Sequence, residues 1–143
     1  MISSSIEQTK QLAREFASTL KSGDVVFLEG DIGSGKTTFV QGVLESFGYK
    51  DPVRSPTFTI MNIYPIENHP NIKCIIHLDF YRLEIPDEIK SLGLDELFQD
   101  TSNVFFIEWP EKGFEKVSNI HYSKCINFIS FENDTREIKI RVE

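Results

Sequence analysis

A glycine-rich segment near the amino terminus constrains the fold of this 143-residue chain more than any other feature. Residues 30–37 read Gly-Asp-Ile-Gly-Ser-Gly-Lys-Thr and match the pattern G-x-x-x-x-G-K-[ST] completely. Residues 25–28 before it are continuously apolar, which predicts a strand covered on both faces. After it, apolar residues recur at helical spacing until Gly48. The order of strand, glycine loop and helix therefore predicts a phosphate-binding loop and a chain that binds nucleotide.

The residue types in this loop each suit phosphate chemistry. Glycine reaches backbone angles closed to other residues, so successive amide N–H groups can turn towards phosphate oxygens at the start of a helix. Lys36 then neutralises the outer phosphates, and the Thr37 hydroxyl is placed to hold a magnesium ion. A turn that matches by chance is disfavoured because a strand and a helix flank it. The residues expected to contact the nucleotide are Asp31, Ile32, Gly33, Ser34, Gly35, Lys36, Thr37 and Thr38.

Composition and charge limit the functional classes. The chain has 15 basic and 22 acidic residues, a net charge of −7, and a hydrophobic content of 40%. Such a chain repels a polyanion, so unaided binding to nucleic acid is disfavoured and any RNA belongs to another subunit. No linker or repeat divides the sequence. We therefore expect one α/β domain of the P-loop type over residues 1–143.

The two cysteines and the amino terminus bear on localisation. Cys74 and Cys125 lie within apolar runs and lack a C-x-x-C partner, which indicates buried thiols in a reducing compartment rather than a metal site. The amino terminus leads into an amphipathic helix without a signal-peptide pattern, and no apolar run of transmembrane length follows. We therefore expect a cytoplasmic location.

The rest of the pattern predicts a mixed sheet with parallel core strands, a hairpin and flanking helices. Ser5 and Gln8 can cap a first helix that is expected to end at Gly23. Its apolar stripe is Leu12, Ala13, Phe16 and Leu20. The elements expected after the loop helix are a hairpin of strands at 57–64 and 72–78, short helical or turn structure at 86–97, a strand at 104–107, and two strands about Asn133 and Asp134.

Two of the predicted strands end in a carboxylate, Asp79 in one and Glu108 in the other. Ligands of open α/β sheets gather at the carboxyl ends of strands, so both acids can reach the nucleotide if their strands run parallel to the first. An acid in this Walker B arrangement holds magnesium or orients the attacking water. The candidate catalytic residues are therefore Lys36, Asp79 and Glu108, and the candidate metal ligands are Thr37, Asp79 and Glu108. Which acid touches the metal stays open.

Ser55 and Thr57 lie in a Ser-Pro-Thr-Phe segment between the loop helix and the hairpin. Nucleotide switches place a segment that senses the terminal phosphate at this point. The alternative is that Pro56 only sets the start of a strand, with Thr57 as an ordinary strand residue.

Three further side chains have two interpretations each. Arg82 can stabilise charge on a transferred phosphate, although such an arginine more often pairs with an acid. Trp109 suits a partner or nucleotide contact as well as simple packing. His77 is expected to be a structural histidine rather than a catalytic base.

Taken together, these segments resemble the bacterial TsaE family, formerly YjeE, over about residues 5–112. The blocks Ser-Pro-Thr, His-x-Asp-x-Tyr-Arg and Glu-Trp are far more specific than the phosphate loop, which many families share. The segment 113–143 matches only in strand character. The matching blocks are residues 30–39, 55–59, 77–83, 92–98 and 107–111.

This resemblance implies an ATPase component of the machinery that installs threonylcarbamoyladenosine in tRNA. In that family the TsaE protein docks on a TsaB–TsaD pair and uses ATP and Mg²⁺ to permit repeated cycles, and tRNA is bound only through the partners. By position, Lys36 and Thr37 correspond to the phosphate and magnesium ligands, and Asp79 and Glu108 to the acids of metal binding or hydrolysis. Trp109 corresponds to an aromatic side chain beside the active site.

Three other classes remain open from the sequence. A small-molecule kinase shares the loop but usually carries an arginine-bearing lid, and no arginine-rich insertion is present. A GTP-dependent switch also places a threonine before a hairpin, yet the sequence has no Asn-Lys-x-Asp segment to read guanine. A nucleotide-gated assembly subunit would need binding without hydrolysis.

Overall fold

The structure, a computed structural model, describes residues 1–57, 59–82, 93–110 and 122–143. These ranges contain three helices and seven strands. The helices are α1 (Ile6–Ala17), α2 (Lys36–Ser46) and α3 (Leu94–Gln99). The strands are β1 (Ile2–Ser3), β2 (Val25–Glu29), β3 (Met61–Pro65), β4 (Cys74–Asp79), β5 (Asn103–Glu108), β6 (Lys124–Ser130) and β7 (Arg136–Val142).

The described strands form one mixed sheet in the order β1-β7-β6-β2-β5-β4-β3. The four middle strands β6, β2, β5 and β4 run parallel, and the outer strands are added antiparallel at both edges. The expected α/β class, with parallel core strands and a hairpin, is confirmed. Because β2, β4 and β5 are parallel, their carboxyl ends meet at one edge, where Glu108 is the register partner of both Leu28 and Asp79.

Apolar side chains cover both faces of the central strands, which explains their continuous hydrophobic runs. On one face, α1 and α2 pack on the sheet, and the Phe39 ring lies 5.5 Å from the rings of both Phe16 and Phe128. The two helices touch at Gly42, where a Cβ would lie 2.7 Å from a side-chain atom of α1. The other face is covered by a second cluster that includes Leu94 of α3. The side chains of the loop-bearing strand β2 are therefore packed on both faces of the sheet.

Helix α1 begins as predicted but ends earlier than predicted. The Ser5 hydroxyl caps it by accepting a hydrogen bond from the Gln8 amide at 3.1 Å. The helix ends at Ala17 rather than Gly23 because the side chains of Ser18 and Thr19 donate back to main-chain carbonyls and favour turns. Leu20 stays buried in those turns. The predicted apolar stripe therefore reaches the core even where it leaves the helix.

The hairpin is confirmed, with a later start than residue 57. Strand β3 begins at Met61 because the Ile60 amide donates to the Pro56 carbonyl at 2.7 Å, a turn contact that precedes the strand. Ile60 has a positive φ of 68°, which is incompatible with a strand. The two tail strands are also confirmed, and the turn between them places both Asn133 and Asp134 at positive φ.

The remaining predicted elements agree in part. The strand expected at 104–107 is β5, and the last residues of the segment 86–97 begin α3, while residues 86–92 lie outside the described residues. Strand β1 was not predicted; it pairs with β7 at the edge of the sheet. Among the described helices, none has both the length and the hydropathy that crossing a bilayer requires.

Candidate nucleotide-binding site

A cavity of about 270 Å³ opens at the carboxyl edge of β2, β4 and β5. It brings together most of the side chains that the sequence pointed to, although they come from four separate parts of the chain. The predicted residues that line it are Ile32, Gly33, Gly35, Lys36, Thr37, Thr38, Ser55, Thr57, Asp79, Glu108 and Trp109. Asp31 lines an adjoining cavity, and Ser34 is buried in the loop.

The glycine loop has backbone angles that favour glycine. Gly35 occupies the cap position of α2 with a φ of 106°, and Gly30 has a φ of 153°, so both lie in a region that favours glycine. Gly30 also has no room for a side chain, because a Cβ there would lie 2.8 Å from the Phe128 carbonyl oxygen. The loop therefore turns from β2 into α2 in the order predicted.

The ammonium group of Lys36 is held inside the site. Its Nζ donates to the Gly30 carbonyl oxygen, forms an ion pair with Glu108 Oε1 at 3.2 Å, and lies 5.7 Å from the centre of the Trp109 ring. Lys36 is 6% exposed and Glu108 is 4% exposed, so the pair is shielded from water. A phosphate that binds the Lys36 ammonium must compete with the Glu108 carboxylate for it.

The other oxygen of Glu108 is fixed by a histidine. His77 Nε2 lies 2.6 Å from Glu108 Oε2, and His77 is fully buried. Burial raises the pKa of the Glu108 carboxyl, but the hydrogen bond from His77 and the electrostatic interactions with His77 and Lys36 outweigh it and hold that pKa below its usual value. Glu108 is therefore a carboxylate, held between two nitrogen donors.

The two-residue periodicity of a strand already indicates that His77 lies on the same face of the sheet as Asp79. His77 and Asp79 are two residues apart on β4, so their side chains share one face of the sheet, and Asp79 is the register partner of Glu108. The structural role predicted for His77 thus has a specific form, which is to fix the orientation of an acid in the cavity.

Asp79 is buried at the end of β4, beside Glu108. Its Oδ1 accepts a hydrogen bond from the Tyr81 amide at 2.9 Å, which orients the carboxylate at the cavity wall. Within the described part of the chain, no group of three or more His, Cys, Asp or Glu side chains is placed to hold a metal ion. A magnesium ion needs fewer protein ligands than that when phosphates and water supply the rest, so Thr37 and one carboxylate fit it.

Ser55 and Thr57 face the cavity from the segment before the hairpin. Their hydroxyl oxygens lie 2.8 Å apart, and the Thr57 amide donates to the Ser55 hydroxyl at 3.4 Å. Both residues therefore line the same cavity as the glycine loop. Residue 58, the next in that segment, lies outside the described residues.

Of the described residues Trp109 and Arg82, Trp109 lines the cavity and Arg82 does not. Trp109 has a φ of 54°, a backbone conformation that costs a non-glycine residue about 1–3 kcal/mol, and its ring packs 4.9 Å from the Tyr81 ring. This turn places the indole at the cavity, beside Lys36. Arg82 is exposed and is not among the described residues that line the cavity.

Besides Tyr81, whose ring packs on Trp109, two cavity residues were missed by the sequence analysis. Ile6 is the first residue of α1, and Arg136 is the first residue of β7. Neither belongs to a recognisable motif, and both reach the cavity through long-range strand pairing. The sequence offered no signal that distinguishes them from other helix and strand starts.

Comparison with known proteins assigns the chain to a family. The family model described as "Threonylcarbamoyl adenosine biosynthesis protein TsaE" matches residues 3–139. The chain belongs to the TsaE family. The resemblance drawn from the sequence motifs is thereby confirmed, and it extends into the tail strands β6 and β7. The family is named for the biosynthesis of threonylcarbamoyladenosine in tRNA.

Individual members of the TsaE family show the extent of the similarity. The tRNA threonylcarbamoyladenosine biosynthesis protein TsaE of Bacillus subtilis (strain 168) is 45% identical over 103 residues, which are 72% of this chain and 61% of that protein. The protein of the same name from Rickettsia bellii is 40% identical over 77% of this chain and 73% of its own length. The alignments thus span less than two thirds of some relatives, including the Bacillus protein.

A solved structure shares the fold. The structure titled "Crystal structure of Bacillus subtilus YdiB" superposes with a TM-score of 0.76 at 32% sequence identity, and the match covers 99% of this chain and 83% of that one. The chain therefore has the P-loop fold of the TsaE family.

The Glu108 carboxylate is expected to make stability depend on pH. Its folded-state pKa lies below the ordinary value of 4.5, so its contribution is present above pH 4.5 and is lost as the pH falls through the lower folded-state value. In urea unfolding at pH 7, the free energy of unfolding of wild type should exceed that of Glu108→Gln by about 3–5 kcal/mol, because the variant leaves Lys36 without its partner. This difference should shrink as the pH falls below 4.5. Glu132→Gln, which changes an exposed carboxylate, is the control. A difference that grows on acidification would contradict this assignment.

Proposed function

We propose that this chain binds ATP with Mg²⁺ and hydrolyses it slowly, as a subunit that acts on a TsaB–TsaD complex in the threonylcarbamoyladenosine modification of tRNA. The observation that carries the proposal is the contact between Lys36 of the glycine loop and the strand-end acid Glu108. It joins a phosphate-binding cation to a carboxylate in one water-shielded cavity. We take residues 1–143 as one ATPase domain that works in the cytoplasm.

Each group in the cavity has a proposed task. The amides of the glycine loop and the Lys36 ammonium hold the β- and γ-phosphates, as donors and as a counter-charge. The Thr37 hydroxyl and the Asp79 carboxylate hold Mg²⁺, with Glu108 as the second candidate ligand. When bound, the metal neutralises charge on the phosphates. Ser55 and Thr57 sense the γ-phosphate, and Trp109 covers the Lys36 side of the site.

Glu108 is the proposed general base for water. When a phosphate binds the Lys36 ammonium, Glu108 Oε1 loses its ion pair with Lys36. Glu108 Oε2 remains hydrogen-bonded to His77. Oε1 can then accept a proton from water as the water oxygen bonds to the γ-phosphorus and the bond to the bridging oxygen of ADP breaks. The products are ADP and inorganic phosphate.

We expect slow turnover because few cations lie beside Asp79 and Glu108 among the described cavity residues. Of the described residues there, Lys36 is the cation, whereas Arg82 is exposed and Arg136 lies on the other side of the loop. A missing arginine finger withholds roughly 10³–10⁵-fold in rate. We therefore expect the isolated protein to turn over slowly and the partner complex to supply or position the missing group.

Two substitutions separate binding from turnover. Lys36→Ala should reduce Mg–ATP affinity at least about 100-fold in calorimetry, because it removes the counter-charge and leaves Glu108 facing the phosphates. Glu108→Ala should bind Mg–ATP as tightly as wild type or more tightly, since Lys36 no longer has a competing anion. Its phosphate release should fall about 10²–10³-fold.

Lys50→Ala, which removes an exposed lysine beyond α2, is the matched control and should leave both measurements unchanged. Retained ATP affinity in Lys36→Ala would contradict the phosphate assignment. GTP that competes as well as ATP would contradict the choice of nucleotide.

The partner claim has its own test. Purified TsaB and TsaD proteins from the same organism should be retained by the tagged chain in a nucleotide-dependent pull-down, and their addition should accelerate phosphate release. Rapid hydrolysis by the isolated chain, unaltered by the TsaB–TsaD pair, would contradict this proposal. Stoichiometric transfer of phosphate to a small metabolite would indicate a kinase instead.

A further inference from the structure

The Ser-Pro-Thr segment, residues 55–57, reaches the cavity from irregular chain between α2 and β3. Such a connection lacks the ladder of main-chain hydrogen bonds that fixes a helix or a strand, so side chains of neighbouring elements must hold it. The hydroxyls of Ser55 and Thr57 contact each other, but that contact spans only two residues and cannot fasten the segment to the sheet. The contacts on either side of the segment therefore decide whether it faces the cavity.

Two side chains of the edge strand β3 hold the main chain of Arg54, the residue directly before the segment. The Tyr64 hydroxyl accepts a hydrogen bond from the Arg54 amide at 3.4 Å and donates one to the Arg54 carbonyl at 3.3 Å. Asn62 Nδ2 donates to the same carbonyl at 3.1 Å. Both main-chain groups of Arg54 are thus satisfied by side chains of β3 rather than by a strand of their own.

Asn62 also contacts the chain on the other side of the segment. Its Oδ1 accepts a hydrogen bond from the Thr59 hydroxyl at 2.8 Å, so one carboxamide bridges Arg54 and Thr59. The next residue, Ile60, accepts a hydrogen bond at its carbonyl from the Asp79 amide at 2.9 Å, which joins this part of the chain to the end of β4. The segment is therefore fastened to the sheet both before and after the residues that line the cavity.

Both holding side chains come from well-anchored positions. Tyr64 is buried, and its ring lies 5.3 Å from the Tyr49 ring in the core. Asn62 is the register partner of His77, and directly opposed residues of neighbouring strands point to the same face of a sheet. Asn62 therefore lies on the face of the sheet on which His77 orients Glu108.

We propose that Asn62 and Tyr64 are positioning residues, which hold the Ser-Pro-Thr segment in the arrangement that recognises the γ-phosphate. Neither side chain is among the described residues that line the cavity, so both act through Arg54. This inference rests on the proposed function and names the groups that set its preference for a triphosphate. A segment released from β3 is in the binding arrangement for only part of the time, and the apparent affinity falls by that fraction.

The test compares Mg–ADP with the magnesium complex of a non-hydrolysable ATP analogue, which adds the γ-phosphate. In calorimetry, Asn62→Ala should weaken binding of the analogue about fivefold or more, because two hydrogen bonds are lost, and should leave Mg–ADP within about twofold of wild type. Phosphate release at saturating ATP should fall by a similar factor. Tyr64→Phe, which keeps the ring and removes the hydroxyl, should show the same pattern with a loss of about threefold.

Asn68→Ala is the matched control, because it makes the same change at an exposed position in the turn after β3 and should leave every measurement at the wild-type value. Unfolding midpoints show whether each variant is folded. A loss in Asn62→Ala with wild-type behaviour in Tyr64→Phe would overturn the inference in favour of the local contact with Thr59. Equal losses for the analogue and ADP would also overturn it, because a destabilised fold weakens both ligands alike.

The same measurements separate this inference from the proposed function. Unchanged affinity for the analogue in both Asn62→Ala and Tyr64→Phe would overturn the inference alone. Failure of the wild-type chain to bind either nucleotide would overturn the proposed function as well.

Discussion

The ion pair between Lys36 and Glu108 is the interaction on which the site depends. It links the glycine loop after β2 to the carboxyl end of β5, and together with His77 it holds the pKa of the Glu108 carboxyl below its usual value. Breaking a shielded pair by removing one partner costs about 3–5 kcal/mol, because the remaining charge is left without compensation. A triphosphate avoids most of this cost, since it replaces one anion on Lys36 with another. The proposed binding step is therefore an exchange of anions on one ammonium group.

The sheet fixes the positions of the groups around the Lys36 ammonium. His77 keeps hold of the second oxygen of Glu108, so the carboxylate stays in place when Lys36 leaves it. The parallel register of β4 and β5 sets Asp79 beside Glu108 on one side of the loop. Pairing of β1 with β7 sets Ile6 and Arg136 on the other. One mixed sheet thus places the two strand-end acids and the pair Ile6 and Arg136 at opposite sides of the same loop.

Local patterns made most of this site predictable. The loop is predictable because its glycine and lysine spacing is local, and Asp79 and Glu108 are predictable because each follows a buried strand. Long-range pairing decides the rest. Arg136 reaches the loop only because β7 lies next to β6 and β1, which no motif encodes. The early end of α1 and the late start of β3 depend on hydroxyl and turn contacts that compete with helix and strand propensity.

A crystal structure with Mg²⁺ and a non-hydrolysable ATP analogue tests the anion exchange most directly. The account predicts that Lys36 Nζ leaves Glu108 Oε1 for oxygens of the β- and γ-phosphates, while Glu108 Oε2 remains hydrogen-bonded to His77. A triphosphate bound with the Lys36–Glu108 pair intact, or bound away from the glycine loop, would contradict it.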